Sequence, residues 1–242
     1  MSTFEERNRD MIAKMGEDRE LHALTRQWFD ATTKHEYSYH FTWMGRPIIQ
    51  FPQDVLATQE IIWKVKPDLI LETGIAHGGS LIFSASMLEL IGGDGQVLGL
   101  DIDIRAHNRV EIEKHPMAKR ITMIQGSSID PQIAQQVYDF ARGKQRILVI
   151  LDSNHTHDHV RDELKLYSQL VTKDSYLLVF DTVIEDLQPS AIVDRPWGKG
   201  NNPKTAVREF LKTNSRFIVD EEIQNKLQIT VAPEGYLKCV RD

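Results

Sequence analysis

Five short apolar runs, DLILETG, QVLGLDID, RITMIQGS, RILVILDS and SYLLVFDT, recur along this chain, and each breaks off in polar or glycine residues. Apolar runs of this length, bounded by turn formers, read as strands buried on both faces, and the segments between them have helical length and period. That alternation commits the chain to βα units wound on a parallel sheet. The stretch after the fourth run agrees: Val160, Leu164, Tyr167 and Val171 follow one another at spacings of four, three and four, a single helical stripe. Before the first run, VLATQEIIWKVK reads as a helix with Asp54 as its N-cap and an end ahead of Pro67. WGKGNNPK, residues 197 to 204, is a long loop, and TAVREFLK resumes a helix after it. The closing KLQITVAPEGYLKCV predicts an antiparallel hairpin turning at Pro233-Glu234-Gly235 on the sheet edge.

The region ahead of these units differs. Up to Lys34 it is polar, with scattered Met11, Met15, Leu21, Leu24, Trp28 and Phe29, a pattern for exposed or partner-packed helices. Tyr37, Tyr39, Phe41 and Trp43 then fall two apart before Gly45, Pro47 and Pro52, which predicts an aromatic arm or short strand. Its rings would pack on the core or on another subunit, or line a substrate pocket. The division expected is a helical and aromatic extension over residues 1–53 and a Rossmann-like domain over 54–242. With 29 basic against 35 acidic residues, a net charge of -6 and no lysine-arginine block, no nucleic-acid footprint is present. The first thirty residues are charged throughout, and no run of 18 apolar residues occurs, so no membrane segment is expected. The chain reads as a soluble cytoplasmic protein with a small-molecule partner, forming a homo-oligomer through its N-terminal region. Its lone Cys239 leaves no internal disulfide framework and reads as a small, partly buried residue of a late strand.

In an open α/β sheet, ligands bind at the carboxyl ends of the strands. The first such end, LETGIAHGGSLIF, sets Gly74, Gly78 and Gly79 around a tight turn before Ser80 opens an apolar helix. Glycines let a backbone approach a ligand, and the helix start offers free N–H groups. A dinucleotide loop reads GxGxxG, and this one reads GxxxGG with Glu72 just before the first glycine. A carboxylate there repels a pyrophosphate and attracts an amine, which suits S-adenosylmethionine. Asp101, ending the second strand 29 residues after Glu72, is placed to accept ribose hydroxyls. Ser127 and Ser128, ending the third, suit an adenine edge, and His77 in the glycine loop is a further cofactor candidate.

Asp152 ends the fourth strand and Asp181 the fifth. On neighbouring strands the backbones lie about 5 Å apart, and two carboxylates at that separation repel by roughly 3 kcal/mol at an effective dielectric of 20. A divalent cation, a shared proton or a cationic substrate would offset this, and oxygen donors favour Mg2+ over zinc. His155, three residues past Asp152, stays above the sheet, where it is placed to take a proton from a hydroxyl. His157 and His159 open the next helix two residues apart, so they diverge and read as part of an ordinary helix start.

At these residues the sequence resembles the cephalosporin hydroxylase family, which also contains rhamnosyl O-methyltransferases of glycolipid synthesis. The likeness spans about Arg46 to Lys238 and rests on RPIIQFPQD, KPDLILETGIAHGGS, GLDIDIRAHNR, LDSNHTHDHV and GYLK. It implies a class I methyltransferase sheet, with cofactor contact from Glu72, Gly74, Gly78, Ser80 and Asp101 and with Asp152 as metal ligand. The family's pair of carboxylates after the fifth strand is Phe180-Asp181 here, so one metal ligand is missing. Asp152 and Asp181 would then hold the ion more weakly, with Glu185 or Asp186 moving in, or the ion is lost.

The function expected is S-adenosylmethionine-dependent O-methyl transfer to a hydroxyl of a sugar or specialised metabolite, with His155 or a cation at Asp152 and Asp181 activating the acceptor. The arm at 36–52 and the loop at 183–204 would cover the substrate. Two other classes stay open. An oxygenase would need two histidines and one carboxylate from residues 155–159, and a non-catalytic cofactor-binding assembly protein is compatible with the missing carboxylate.

Overall fold

The computed structural model describes residues 3–188 and 194–242, so residues 189–193 of the expected substrate cover lie outside the described residues. The five apolar runs form β3 (Leu69–Thr73), β4 (Gln96–Asp101), β5 (Ile121–Gln125), β6 (Ile147–Leu151) and β7 (Tyr176–Val179). With β8 (Phe217–Val219) and β9 (Tyr236–Cys239) they make one seven-stranded sheet of order β5-β4-β3-β6-β7-β9-β8, parallel except for the pairs made by β9. The chain winds outward from β3 to β5, then returns to lay β6 against the other side of β3. The carboxyl ends of β3 and β6 therefore flank the reversal of strand order, where a crevice opens.

Alternation along the strands divides the core. Ile70, Leu148, Ile150 and Leu178 point to one face, with α3 (Pro52–Val65) and α4 (Gly79–Ile91), while Leu69, Leu71, Val149 and Leu177 point to the other, with α6 (Pro131–Ala141), α7 (His157–Tyr167) and α8 (Pro203–Thr213). Both faces are covered, which is why the runs are apolar throughout; each buried Leu or Val contributes about 2 kcal/mol. α4 is apolar nearly all round because it is enclosed by the sheet, α3 and the N-terminal arm. The shorter α5 (Ala106–Glu113) follows β4.

The N-terminal region forms α1 (Phe4–Glu17) and α2 (Arg19–Thr33), capped by Thr3 and Asp18. The aromatic arm becomes a 3-10 turn at Tyr37–His40 and a small ribbon of β1 (Thr42–Trp43) and β2 (Arg46–Pro47). Tyr37 stacks on Phe51 and meets Trp28 and Phe41, while Trp43 stands edge-on to Phe83 and donates to Ser86 at 3.0 Å. A Cβ on Gly79 would fall 2.1 Å from the carbonyl oxygen of Pro47, so this glycine is what lets the arm touch the start of α4.

Two local expectations change. Asp54 is not the N-cap of α3: Pro52, with its fixed φ, opens the helix, and Phe51 occupies the cap. The Asp54 carboxylate is instead buried, taking hydrogen bonds from the Thr230 hydroxyl, the Val231 N–H at 2.9 Å and the Tyr236 hydroxyl at 2.6 Å. Burial pushes it up to about 6 against the pull of those donors. These bonds also draw residues 230–231 away from the sheet, so the antiparallel C-terminal pair takes its first strand earlier than expected. β9 pairs with β8, and α9 (Glu221–Leu227) lies between them in sequence. β9 is interior, between β7 and β8, and Cys239 is fully buried in it. No helix among the described residues is long and apolar enough to cross a membrane.

Candidate active site

Above the carboxyl ends of β3, β6 and β7 lies a cavity of about 270 Å³, and beside it a second of about 250 Å³ reaches over β4 and β5. Gly74 and Ser153 belong to both walls, so the two form adjoining lobes. Gly74 sits at φ +90°, and a Cβ there would lie 2.0 Å from the carbonyl oxygen of Asp152. Only glycine allows the end of β3 to lie so close to the end of β6.

Asp152 and Asp181 line the larger lobe, whereas Glu72 belongs to neither wall and lines a small pocket beneath, which shares Gln50, Ser80 and Phe180 with that lobe. Glu72 is buried; its Oε1 accepts from the Ser80 hydroxyl, and Oε2 has no hydrogen-bond partner among the described residues. Burial pushes this carboxyl up to about 7, against the pull of the Ser80 hydroxyl. Asp152 is raised well above the ordinary carboxylate range by burial and then by Asp181, Glu72, Glu163 and Asp54 around it. Its Oδ2 meets the Gln50 amide at 3.5 Å. A carboxylate group so crowded and dehydrated is short of positive charge.

β6 and β7 are neighbours, as the placement of Asp152 and Asp181 required, with Leu151 opposite Val179. Asp181 takes φ +55°, a conformation that Asp and Asn tolerate better than most residues, and this turns its carboxylate to His155. Oδ2 of Asp181 lies 3.0 Å from Nε2 of His155. Burial works against the charged imidazole, but the Asp181 carboxylate outweighs it, and the net direction is upward. Asp152, His155 and Asp181 bring one ligand atom each within 4.8 Å of one another. Phe180, where a further carboxylate was expected, is buried and stands edge-on to Tyr236. Glu185 and Asp186 do not move in: Glu185 accepts from Gly200 N–H at 2.7 Å and from Asn202, and Asp186 pairs with Lys204.

In the smaller lobe, Asp101 accepts the N–H groups of Ile75 at 2.8 Å, Ala76 at 3.2 Å and Asp103 at 3.0 Å, which braces the glycine turn. A carboxylate has about four lone-pair sites, so it retains capacity for a ligand hydroxyl. Ser127 and Ser128 line the same lobe, and His77 and Ser80 line the larger one. Gly78 belongs to neither wall; its φ is +82°, and a Cβ there would press on Ile112, so it serves the packing of α4 on α5.

The histidines diverge as their spacing implied. His157 leaves the site, with Nδ1 at 2.8 Å from Thr205 and Nε2 at 3.1 Å from Glu209 on α8. Two histidines and a carboxylate therefore do not converge around His155, which removes the geometric support for the oxygenase alternative. His159 is not an ordinary cap: it enters the wall of the smaller lobe, 3.0 Å from the Ser128 hydroxyl and 3.1 Å from the Ser153 hydroxyl. Its i,i+4 relation to Glu163 was the available signal. Gln50 was also missed, since nothing local in FPQD's neighbourhood marks it.

Residues 35–240 match the model of the family described as Rhamnosyl O-methyltransferase/CmcI. A rhamnosyl O-methyltransferase of Mycobacterium tuberculosis (strain ATCC 25618 / H37Rv) is 32% identical over 203 residues, covering 81% of this chain and 77% of that protein. One of Mycobacterium leprae (strain TN) is 34% identical over 205 residues, covering 81% and 82%. The chain belongs to this family. It is an S-adenosylmethionine-dependent methyltransferase, and its reaction is O-methylation. The methyltransferase also shares its fold with a solved structure of CmcI with Mg and SAM, at TM-score 0.59 and 19% identity over 84% of this chain and 78% of that one. The O-methyltransferase from Bacillus cereus in complex with SAH is similar at TM-score 0.54 and 15% identity, over 80% and 81%.

Proposed function

We propose that this methyltransferase methylates a hydroxyl of a sugar or specialised metabolite, bound in the larger lobe against Asp152, His155 and Asp181. The observation that carries this reading is the convergence of those three side chains beside a lobe that opens, across Gly74 and Ser153, onto Asp101, Ser127 and Ser128. S-adenosylmethionine fits such a pair of lobes. Held there, its amino group would be drawn towards Glu72, whose Oε2 lacks a donor beneath Ser80, its sulfonium would be favoured by the Asp152 and Asp181 carboxylates, and its ribose and adenine would face Asp101 and the two serines. Tyr39, Ile49 and Gln50 from the arm wall the acceptor side.

In the reaction the acceptor oxygen attacks the methyl carbon while the carbon–sulfur bond breaks and sulfur keeps the electron pair, giving S-adenosylhomocysteine. Positioning is the main contribution to such a displacement. The hydroxyl proton goes to His155. Asp181 accepts the Nε2–H, which fixes the tautomer and leaves Nδ1 as the ring's acceptor. The residues also fit Mg2+: Asp152 and Oδ1 of Asp181 supply hard oxygen donors, and this ion keeps several waters when held by one or two carboxylates. Bound there, it would lower the pKa of the acceptor hydroxyl.

Incubating the protein with S-adenosylmethionine and a panel of hydroxylated sugars and metabolites, and reading each product by mass, tests the reading. A gain of one methyl on a hydroxyl supports it, whereas transfer confined to nitrogen or sulfur acceptors overturns it. For the ion, chelator and Asp181→Asn are each expected to lower transfer by about tenfold or more, with asparagine chosen because it tolerates the positive φ. Unchanged rates under chelator would leave proton transfer to His155 as the whole activation.

Glu72 adds a prediction independent of the acceptor. Its folded pKa of about 7 lies above the ordinary 4.5, so in the free protein it holds a proton across that window, and its stabilising contribution is lost as pH rises through 7. An ammonium group arriving beside it favours the carboxylate. Calorimetry at pH 6 in buffers of different ionisation enthalpy should show release of close to one proton on S-adenosylmethionine binding, and Glu72→Gln should abolish that release.

A further inference from the structure

Glu163 on α7 has no exposed surface, and its Oε2 finds no hydrogen-bond partner among the described residues. A buried carboxylate is costly, and the one-sided use of this one points to a task for Oε1. Oε1 accepts the Ser153 hydroxyl at 2.7 Å and lies 3.5 Å from Nε2 of His159. A carboxylate has no hydrogen to give, so Ser153 must point its proton at Glu163. The Ser153 oxygen, 3.1 Å from Nε2 of His159, is then an acceptor, and His159 must carry its proton on Nε2. The same N–H faces the Ser128 oxygen at 3.0 Å. With one lone pair of Ser128 turned to His159, its own hydroxyl hydrogen is free for the lobe. α7 also clamps the Ser128 backbone, because the Tyr167 hydroxyl donates to its carbonyl.

We propose that the relay Glu163–Ser153–His159 fixes Ser128 as a hydrogen-bond donor to the nucleobase, making Ser128 the residue that selects adenine, with the other three as positioning residues. Adenine offers the N1 acceptor on its Watson–Crick edge, whereas hypoxanthine carries a hydrogen on N1 and would set donor against donor there. This inference rests on the placement of the adenine end of the cofactor in the smaller lobe.

Calorimetric binding of S-adenosylhomocysteine and S-inosylhomocysteine to the whole protein tests it without an acceptor. The wild type is expected to prefer the adenosyl compound by about tenfold, the worth of one directed hydrogen bond. Ser128→Ala should erase the preference by weakening only the adenosyl compound. Glu163→Leu, which leaves Ser153 undirected, should do the same, and Glu163→Gln, which keeps an accepting oxygen, should restore it. A merely structural role for Glu163 would weaken both compounds equally. Preference surviving in Ser128→Ala overturns the proposal even if the Glu163 variants fail to fold. Ser127→Trp, set in the same lobe, locates any failure. If it abolishes binding of both compounds while Ser128→Ala keeps the preference, the relay is wrong; if it binds like the wild type, the placement of the adenine is wrong.

Discussion

Replacing His155 with Gln is expected to lower methyl transfer by about 10² to 10⁴-fold, the range for loss of a positioned general base. The affinity for S-adenosylmethionine should stay within about threefold, because the groups proposed to face the cofactor, Glu72, Asp101, Ser127 and Ser128, lie on or just after β3, β4 and β5. The direction of the pH dependence follows from the same geometry. His155 accepts a proton only when neutral, and Asp181 holds its pKa above the usual 6.5. The rate should therefore rise with pH on a limb that lies above 6.5, and that limb should vanish in His155→Gln. A variant that keeps full rate and an unchanged profile on an acceptor found by the mass screen would assign activation to the cation alone.

The second large effect is expected at Gly74. Gly74→Ala places a Cβ at a φ of +90° and 2.0 Å from a backbone carbonyl that cannot turn aside. Strain and displacement together should cost about 3 kcal/mol, lowering the melting temperature by roughly 10 °C for a chain of this size. Cofactor affinity should fall with it, since the ends of β3 and β6 must separate and both lobes share this wall. Gly92→Ala serves as the control: its φ is +85°, but nothing lies within 4 Å of the new Cβ. It should show strain alone, about 2 kcal/mol, because φ +85° with ψ -174° is a region nearly confined to glycine. Equal losses at the two sites would mean that the close approach at Gly74 contributes nothing.

These two sites also mark what the sequence makes legible. The five strands could be read because a sheet covered on both faces imposes an unbroken apolar run on each strand, and the placement of Asp152 and Asp181 follows once their strands are adjacent. That Glu72, Asp101 and the serines fall at successive strand ends is legible for the same reason, whereas the separate small pocket of Glu72 is not. Asp54 was misread because capping is a local rule, whereas its carboxylate is claimed by Thr230, Val231 and Tyr236, far away in sequence. The first strand of the C-terminal pair was misplaced by the same knot: ITVA has strand propensity, but tertiary contacts override it. His159 was passed over because its neighbours Ser128 and Ser153 reach it only when three strand ends are brought together. Glu185 and Asp186 could not be assigned from composition, since a loop carboxylate serves a metal or a helix start equally well until the fold chooses.

The interior position of β9 has a consequence for how the molecule is made. Among the described residues β8 is joined to the sheet only through β9, although β8 comes first along the chain. As the polypeptide emerges, β3 to β7 can pair as soon as each is available, but β8 lacks its native partner until Tyr236–Cys239 has threaded beside β7. The Asp54 knot closes at the same moment, because Tyr236 is one of its donors. Non-local closures of this kind are slow and leave an open strand edge behind them. The smaller lobe, whose wall is complete by His159, can thus form before β9 closes the sheet, so under the proposed placement a cofactor present during folding would bind an unfinished sheet and favour its completion.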